Sequence, residues 1–471
     1  MPDIIVQPPD TEDVKKIVEI ANNHKIPVFT RAGGTSMAGG SVARKGILLD
    51  TRKMNRILEI DEENLTVTVQ AGIPIQTLNE ALVERGYWVP LDPESKATTT
   101  IGTNIALRSD STFGIRYGKV EQWLCSCEIV TGKGDIIDVG HNKTLISSSG
   151  YHLHWLIISS EGTLGIITEA TLRIIPRPPM RMWALMQVPS LEKGVQCVIE
   201  AHRRGIFPES VNILDKERLI NYSHPGSTVD IRRGHFGIGY SFSGEEVIVS
   251  CSMQKMGEII QDRGGRSLAE GRKDSILASN DWWDHKHVVV EPPELQYESR
   301  NGLEERGLKE FEQNWPILQR KKRFGAAGMS LPIGRIPEAY QYFHKTAKKY
   351  NLEIFGMNVY FQLPNATHVS ISFAVKVGDS QEEVDNFYKY HREMSELAVR
   401  LEGSMSAYPG DGEVTSSLNK IEHKEAREYM CDIKRIFDPN NILNPGKKFG
   451  ETGKEYGLEP SPWIPPEEVT A

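Results

Sequence analysis

Ten residues, Arg31-Ala-Gly-Gly-Thr-Ser-Met-Ala-Gly-Gly40, restrict what this chain can fold into more than any other stretch. They follow an apolar run, Ile26-Pro-Val-Phe-Thr30, that reads as a buried strand. A second short strand comes next, at residues 46–50, with no helical pattern between. A Rossmann fingerprint needs its glycines to open a helix, so the loop does not predict that fold. Four glycines within eight residues let consecutive backbone N–H groups converge on an anion, and Thr35 and Ser36 add hydroxyls. Taken alone, the loop is equally compatible with a plain glycine turn.

Helix and strand signals alternate up to residue 180. Val14, Ile17, Val18 and Ala21 fall at helical spacing in residues 11–24, with Thr11 as N-cap. Residues 65–70 alternate with period two, residues 75–86 read as a helix stopped by glycine, and residues 127–139 as a hairpin turned at Gly132-Lys-Gly-Asp135. Pro176-Arg-Pro-Pro179 denies the backbone donors a sheet or helix needs and marks a boundary. Beyond it the patterns predict strands at 183–188, 247–252 and 358–363, and helices at 191–204, 384–401 and 420–436. Residues 357–375 read as a hairpin turned at 364–367, and no internal repeat is evident. A length of 471 residues argues for two domains. The net charge of −8 argues against a nucleic-acid partner. Five scattered cysteines without Cys-x-x-Cys argue against a zinc ribbon or an iron–sulfur cluster of the chain's own, and fit reduced thiols in the cytoplasm. No leader pattern opens the chain, and no apolar run approaches the ~18 residues of a membrane span.

Three more segments bear on the glycine loop. Residues 91–104 are small and polar, suited to close approach by a flat ligand; Phe113-Gly-Ile-Arg-Tyr-Gly118 follows, then Ser160-Glu-Gly-Thr-Leu-Gly-Ile-Ile-Thr168. Together with the C-terminal Phe437-Asp-Pro-Asn-Asn-Ile-Leu-Asn-Pro-Gly-Lys447, in this order, they resemble the flavoproteins of the vanillyl-alcohol oxidase and p-cresol methylhydroxylase superfamily. Within it, the chain is most similar to the branch of glycolate oxidase large subunits and D-lactate dehydrogenases. The resemblance is strong over residues 1–180 and 420–450 and thin between them.

It implies an α+β chain. A two-part FAD-binding domain of the p-cresol methylhydroxylase type would occupy residues 1–178, and an α+β, ferredoxin-like, substrate-binding cap residues 179–419. Residues 420–450 would return to the FAD domain, and 451–471 would form an extended tail. By the same resemblance Arg31, Ala32, Gly33, Gly34, Thr35, Ser36 and Gly40 wrap the FAD pyrophosphate. Pro93, Thr98, Thr99, Gly102, Asn104 and Ala106 line the flavin and ribityl side. Glu161, Gly162, Gly165 and Ile167 contact the adenosine half, and Asn444 returns to the flavin. Many relatives attach FAD through a histidine in the glycine loop; Thr35 and Ser36 stand there instead, so non-covalent FAD is expected.

The cap departs from the branch. Its relatives carry His-x-Gly-Asp-Gly-Asn-x-His and Gly-Glu-His-Gly-x-Gly, which supply metal ligands and a catalytic histidine. Here the corresponding stretches are Gly356-Met-Asn-Val-Tyr-Phe-Gln-Leu-Pro-Asn-Ala-Thr-His368 and Ser404-Met-Ser-Ala-Tyr-Pro-Gly-Asp-Gly412. Proline neither ligates a metal nor accepts a proton, so no catalytic metal is expected. Tyr360 and Tyr408 fall where relatives keep active-site groups, and His368 matches the closing histidine only across an insertion. Arg108 lies in the flavin-facing stretch, where a guanidinium can clamp a carboxylate. Each has a plainer reading: packed tyrosines, a satisfied histidine, a salt-bridged arginine. Lys286, in Asp281-Trp-Trp-Asp-His-Lys-His287, stands near an arginine of the branch, while Arg335 reads as structural.

The resemblance thus implies a dehydrogenase that moves a hydride from a small 2-hydroxy acid or alcohol to flavin N5. Electrons would leave to an external acceptor such as an iron–sulfur or electron-transfer protein. Alkylphenol or aromatic-alcohol oxidation, a redox-neutral flavin-adduct synthase and a non-catalytic electron-relay subunit stay open. So do homo- and hetero-oligomers.

Overall fold

The computed structural model describes residues 2–222, 232, 234–268, 323–363, 368–378 and 380–449. Its first half builds a three-stranded and a five-stranded sheet, with a two-stranded piece that pairs Tyr87–Trp88 with Ile175–Pro176. Ile4–Val6, Ile47–Asp50 and Val28–Arg31 form a parallel sheet in that order. Helix Thr11–His24 packs on it through Val14, Val18 and Ala21. Its N-cap is Asp10, one residue before the predicted Thr11, because the Asp10 carboxylate accepts from Asp13 N (3.0 Å). The second sheet is antiparallel, ordered Ile57–Asp61, Thr66–Gln70, Ile166–Arg173, Leu124–Val130, Ile136–Gly140. The predicted hairpin at 127–139 is its last two strands. Helix Ile75–Val83 packs against this sheet through Ile75, Leu78 and Leu82.

The C-terminal segment completes the parallel sheet. Val28 N donates to Ile442 O (2.7 Å), Asn444 N donates to Val28 O (2.8 Å), and Leu443 lies beside Val28 in a parallel bridge. Asp438 shapes the turn before it by accepting from Ile442 N (3.0 Å) and Leu443 N (2.8 Å) while paired with Lys434. The helix predicted at 420–436 is broken into Asn419–His423 and Ala426–Phe437 by Lys424, whose φ of 47° no helix tolerates.

Between the two returns lies a seven-stranded sheet, ordered Arg266–Ser267, Met180–Val188, Phe236–Gly244, Ser210–Leu214, Glu353–Phe361, His368–Val377, Arg323–Pro332. It is two βαββα units placed edge to edge. The first runs Met180–Val188, helix Leu191–Arg203, Ser210–Leu214, Phe236–Gly244, helix Glu246–Gln261. The second runs Arg323–Pro332, helix Ile336–Lys349, Glu353–Phe361, His368–Val377, helix Gln381–Arg400. In each, the second strand is innermost, and the units join where Asn212, Ile213 and Leu214 pair with Tyr360, Val359 and Asn358. The sequence shows no repeat; the structure does, because the two units share topology without sharing side chains.

Residues 247–252, predicted as a strand, open helix Glu246–Gln261 instead. Val247 and Ile248 are 81% and 63% exposed, while Val249, Met256, Ile259 and Ile260 face the core, so packing on the sheet overrides the β-branched run. All four long helices cover one face of the sheet, into which Met186, Ile213, Ile238, Met329, Val359 and Ile371 project. The alternate residues, pointing the other way, include Arg181, Ser241, Asn212, Asn358, Tyr360, Ser370 and Ser372. This polar face meets the FAD-side segment 92–119: Ser111 N donates to Gln362 Oε1 (3.1 Å) and Arg116 Nη1 to Ser243 O (2.8 Å). Arg181, bonded twice to Glu209, lies 4.6 Å from the Phe113 ring centre and 5.3 Å from that of Trp88. Among the described residues, no helix is long and apolar enough to cross a membrane.

Candidate functional site

The glycine loop, helix Ile101–Leu107, the turn 161–165 and the C-terminal return line a cleft that opens to solvent, with about 620 Å³ of space, its open mouth included. Of the residues expected to hold FAD, Ala32, Gly34, Thr35, Ser36, Gly40, Gly102, Ala106, Glu161, Gly162, Gly165, Ile167 and Asn444 line it. Thr30, Ser41, Thr51, Ala71, Thr103 and Leu107 also line it and were not singled out from sequence.

Several of the expected residues work behind the wall. A Cβ on Gly33 would sit 2.2 Å from Thr98 O, so the glycine lets the loop close on residues 98–99. Thr35 Oγ1 and Thr99 Oγ1 are 3.1 Å apart, and Thr99 continues to Ser95 Oγ at 2.6 Å. Pro93 is buried in the same segment. Arg31 lies against Gly34, with its Nε buried and unpaired. Asn104, 1% exposed, has no partner for either amide atom, and neither has Thr30 Oγ1. Such buried, unpaired groups are expensive unless something polar meets them. The cleft therefore suits a long polar ligand that brings acceptors and negative charge.

Glu161 does more than contact a ligand. Its carboxylate accepts from Asp411 N (2.7 Å) and Gly412 N (2.8 Å), and Lys448 Nζ lies 3.6 Å away. Burial raises its pKa, and Lys448 opposes the rise. Ser36 Oγ donates to Pro409 O (2.7 Å) and Glu413 N to Ala38 O (2.8 Å). Residues 409–413 are thus fastened onto the glycine loop, ahead of the 420 at which the return was expected. Asn444 ties the cleft together from the other side: Thr30 N donates to its Oδ1 (3.0 Å) and its Nδ2 donates to Glu161 O.

Neither tyrosine lines the cleft, and both come close to Glu94. Tyr360 Oη, on the polar face of the cap sheet, donates to Glu94 Oε1 at 2.6 Å. The Tyr408 ring stacks over Gly328, where a Cβ would come within 2.7 Å of it. Burial pushes the Tyr408 phenol up to about 12; Ser372 and Arg218 oppose the rise and Asp110 and Glu94 add to it. Asp110 is bonded to Ser370 and to Lys119 Nζ (2.7 Å), and Lys119 also donates to Ala407 O (2.9 Å). Nearby, Asn212 Nδ2 and both amide atoms of Asn358 are buried without a partner.

Arg108 and His368 stand apart from this group. Arg108 caps helix Ile101–Leu107 in a left-handed conformation (φ 51°), is absent from the cleft lining, and spends its guanidinium on Glu121. His368 opens its strand with an exposed side chain. Lys286 and the 451–471 tail lie outside the described residues; Arg335 stands at the N-cap position of helix Ile336–Lys349 without a capping bond, its side chain paired with Glu338 (3.3 Å). Sequence reasoning missed Glu94, Asp110 and Arg218. Arg218, 1% exposed in helix Lys216–Tyr222, lies 5.1 Å from the Phe355 ring centre, and nothing in its local sequence marks it. Among the described residues no His/Cys/Asp/Glu group is arranged to hold a metal ion. All five cysteines are free.

Comparison with known proteins adds to this geometry. The FAD binding domain matches residues 2–140, and the C-terminal domain of FAD linked oxidases matches residues 312–448. Glycolate oxidase subunit GlcD of Bacillus subtilis is 28% identical over 461 residues, 97% of this chain and 90% of that protein. A D-lactate dehydrogenase of Archaeoglobus fulgidus is 29% identical over 449 residues, 94% of this chain and 90% of that protein. In fold, p-cresol methylhydroxylase superposes with a TM-score of 0.71 at 18% identity, over 95% of this chain and 89% of that one.

Proposed function

Because this chain belongs to the FAD-linked oxidases, with FAD as its cofactor, we propose that it is a dehydrogenase of small 2-hydroxy acids that delivers electrons to an external acceptor. When bound, FAD supplies the hydride acceptor. The residues present fit it. Backbone N–H groups of the glycine loop would meet its pyrophosphate and Thr30 Oγ1, which lines the cleft, would gain the partner it lacks, with Arg31 and Asn104 backing the wall. Thr35, Ser36, Gly40, Gly102, Ala106, Gly162, Gly165, Ile167 and Asn444 form the walls.

One observation supports the reading: Tyr360, on the polar face of the cap sheet, bonds the Glu94 carboxylate of the other domain, and Tyr408 lies within electrostatic reach of the same carboxylate. A substrate held there loses its C–H toward the cleft and its O–H proton toward a phenol oxygen. The clasp of residues 409–413 on the glycine loop keeps water from the space between. Support for the acid comes from the relatives named for glycolate and D-lactate. The tyrosine pair favours a second reading, oxidation of a phenolic or benzylic alcohol. Anaerobic bleaching of the flavin by glycolate, D-lactate and D-2-hydroxyglutarate, set against alkylphenols and benzylic alcohols, separates the two. Bleaching only by the second group refutes the hydroxy-acid assignment.

A further inference from the structure

We propose that Glu94 is a positioning residue acting through Tyr360, the two forming a proton relay that carries the substrate's hydroxyl proton out of the site. The inference rests on the dehydrogenation reading above and names how its proton leaves.

The geometry is specific. Tyr360 is 8% exposed on an innermost strand of the cap, and its phenol donates to Glu94 Oε1 at 2.6 Å across the boundary with the FAD domain. Glu94 is half-buried, so the relay has one closed end and one end open to water. It adjoins Ser95, whose hydroxyl leads through Thr99 to Thr35, a residue of the cleft lining. The domains are also fastened elsewhere, once through a carboxylate, where Asp110 takes the Ser370 hydroxyl. The contacts of Gln362 with Ser111 and of Arg116 with Ser243 already supply neutral-acceptor fastenings.

The step balances. The substrate carbon gives up hydrogen and two electrons as hydride to FAD, and the C–O single bond becomes a carbonyl. The hydroxyl proton passes to Tyr360 Oη as the phenol's own proton passes to Glu94. Tyr360 is neutral before and after; Glu94 ends protonated and releases its proton to water. Among the described residues, charged groups on the neighbouring segments are paired. Lys96 is paired with Asp92 (3.0 Å) on the same loop and Lys119 with Asp110 (2.7 Å) behind it. Arg218 approaches from helix Lys216–Tyr222 and Tyr408 from the returning segment, both within electrostatic reach of one another. Glu94 must be ionised to accept, so flavin reduction should rise with pH along an acid limb that belongs to Glu94.

The test is anaerobic stopped-flow reduction of the holoenzyme flavin by the acids named above, across pH, for wild type, E94Q, E94D, Y360F and E94Q/Y360F. The relay predicts reduction about 100-fold slower in E94Q and in Y360F. It also predicts no acid limb in E94Q, partial rescue in E94D, little change in KM, and no further loss in the double variant. An acid limb retained in E94Q, with only KM or thermal stability altered, overturns the relay in favour of a fastening. Wild type reduced normally and E94Q indistinguishable from it overturns the relay alone. Wild type reduced by none of the acids overturns the hydroxy-acid reading and the relay with it.

Discussion

Replacing Asn444 by alanine tests whether the C-terminal return holds the cleft or merely lies against it. The side chain is 2% exposed, accepts from Thr30 N and donates to Glu161 O. Alanine leaves both backbone groups buried without a partner, at about 1–3 kcal/mol each. Its φ of 42° adds about 1 kcal/mol for a side chain that does not favour the left-handed region. The sum runs from about 3 to 7 kcal/mol, with its middle near 5 kcal/mol. Since the amide holds two walls of the cleft in place, the loss should appear as FAD retention weakened by roughly 10³- to 10⁴-fold, at about 1.4 kcal/mol per tenfold. Equilibrium dialysis of FAD against N444A, N444G and wild type measures it. Glycine relieves the backbone penalty but not the missing hydrogen bonds, so N444G should recover only about fivefold over N444A. Wild-type affinity in N444G would refute the reasoning, because strain and not the amide bridge would then be what matters. Unchanged affinity in N444A would refute it entirely.

Denaturing the holoprotein in acid should release all its yellow colour, as no histidine stands in the glycine loop; flavin absorbance left on the precipitated chain would contradict this. Burial pushes His391 down to about 4, so the folded chain holds it neutral. Its contribution to stability is full above the ordinary value of 6.5 and is lost as pH falls toward about 4, and H391Q should lose less stability than wild type between pH 7 and 4.5 in urea titrations. Equal losses would show that the imidazole is charged in place. In helix Glu246–Gln261, I259A should cost about 2–5 kcal/mol and I248K under about 0.5, since only the first side chain is buried; similar losses in both, read by thermal denaturation, would contradict the helix register.

What the sequence made legible was what short-range chemistry dictates. The glycine loop between two strands, the 127–139 hairpin and the Asn444 return all depend on residues near in sequence or on backbone demands few side chains meet. The strand predicted at 247–252 misled because Val247-Ile-Val249 carries a β signal that only the opposite face of the helix, seven to eleven residues on, reverses. Arg108 looked poised for a ligand because its neighbours are; Glu121, thirteen residues on, takes its guanidinium. Glu94 was invisible for a complementary reason. A glutamate in a polar loop reads as a solvated charge until a tyrosine 266 residues away is folded onto it.

The two βαββα units of the cap are joined by three residue pairs, and Tyr360 is one member of them. The joint is reinforced by Asp215 of the first unit, which accepts from Met357 N of the second (2.9 Å), and by one apolar core that runs under both units. Each unit also has its own tie to the FAD domain, Arg116 to Ser243 in the first and Ser111 to Gln362 in the second. The cap is therefore pinned in both halves, and its register on the FAD domain does not depend on the strand pairing between the units alone.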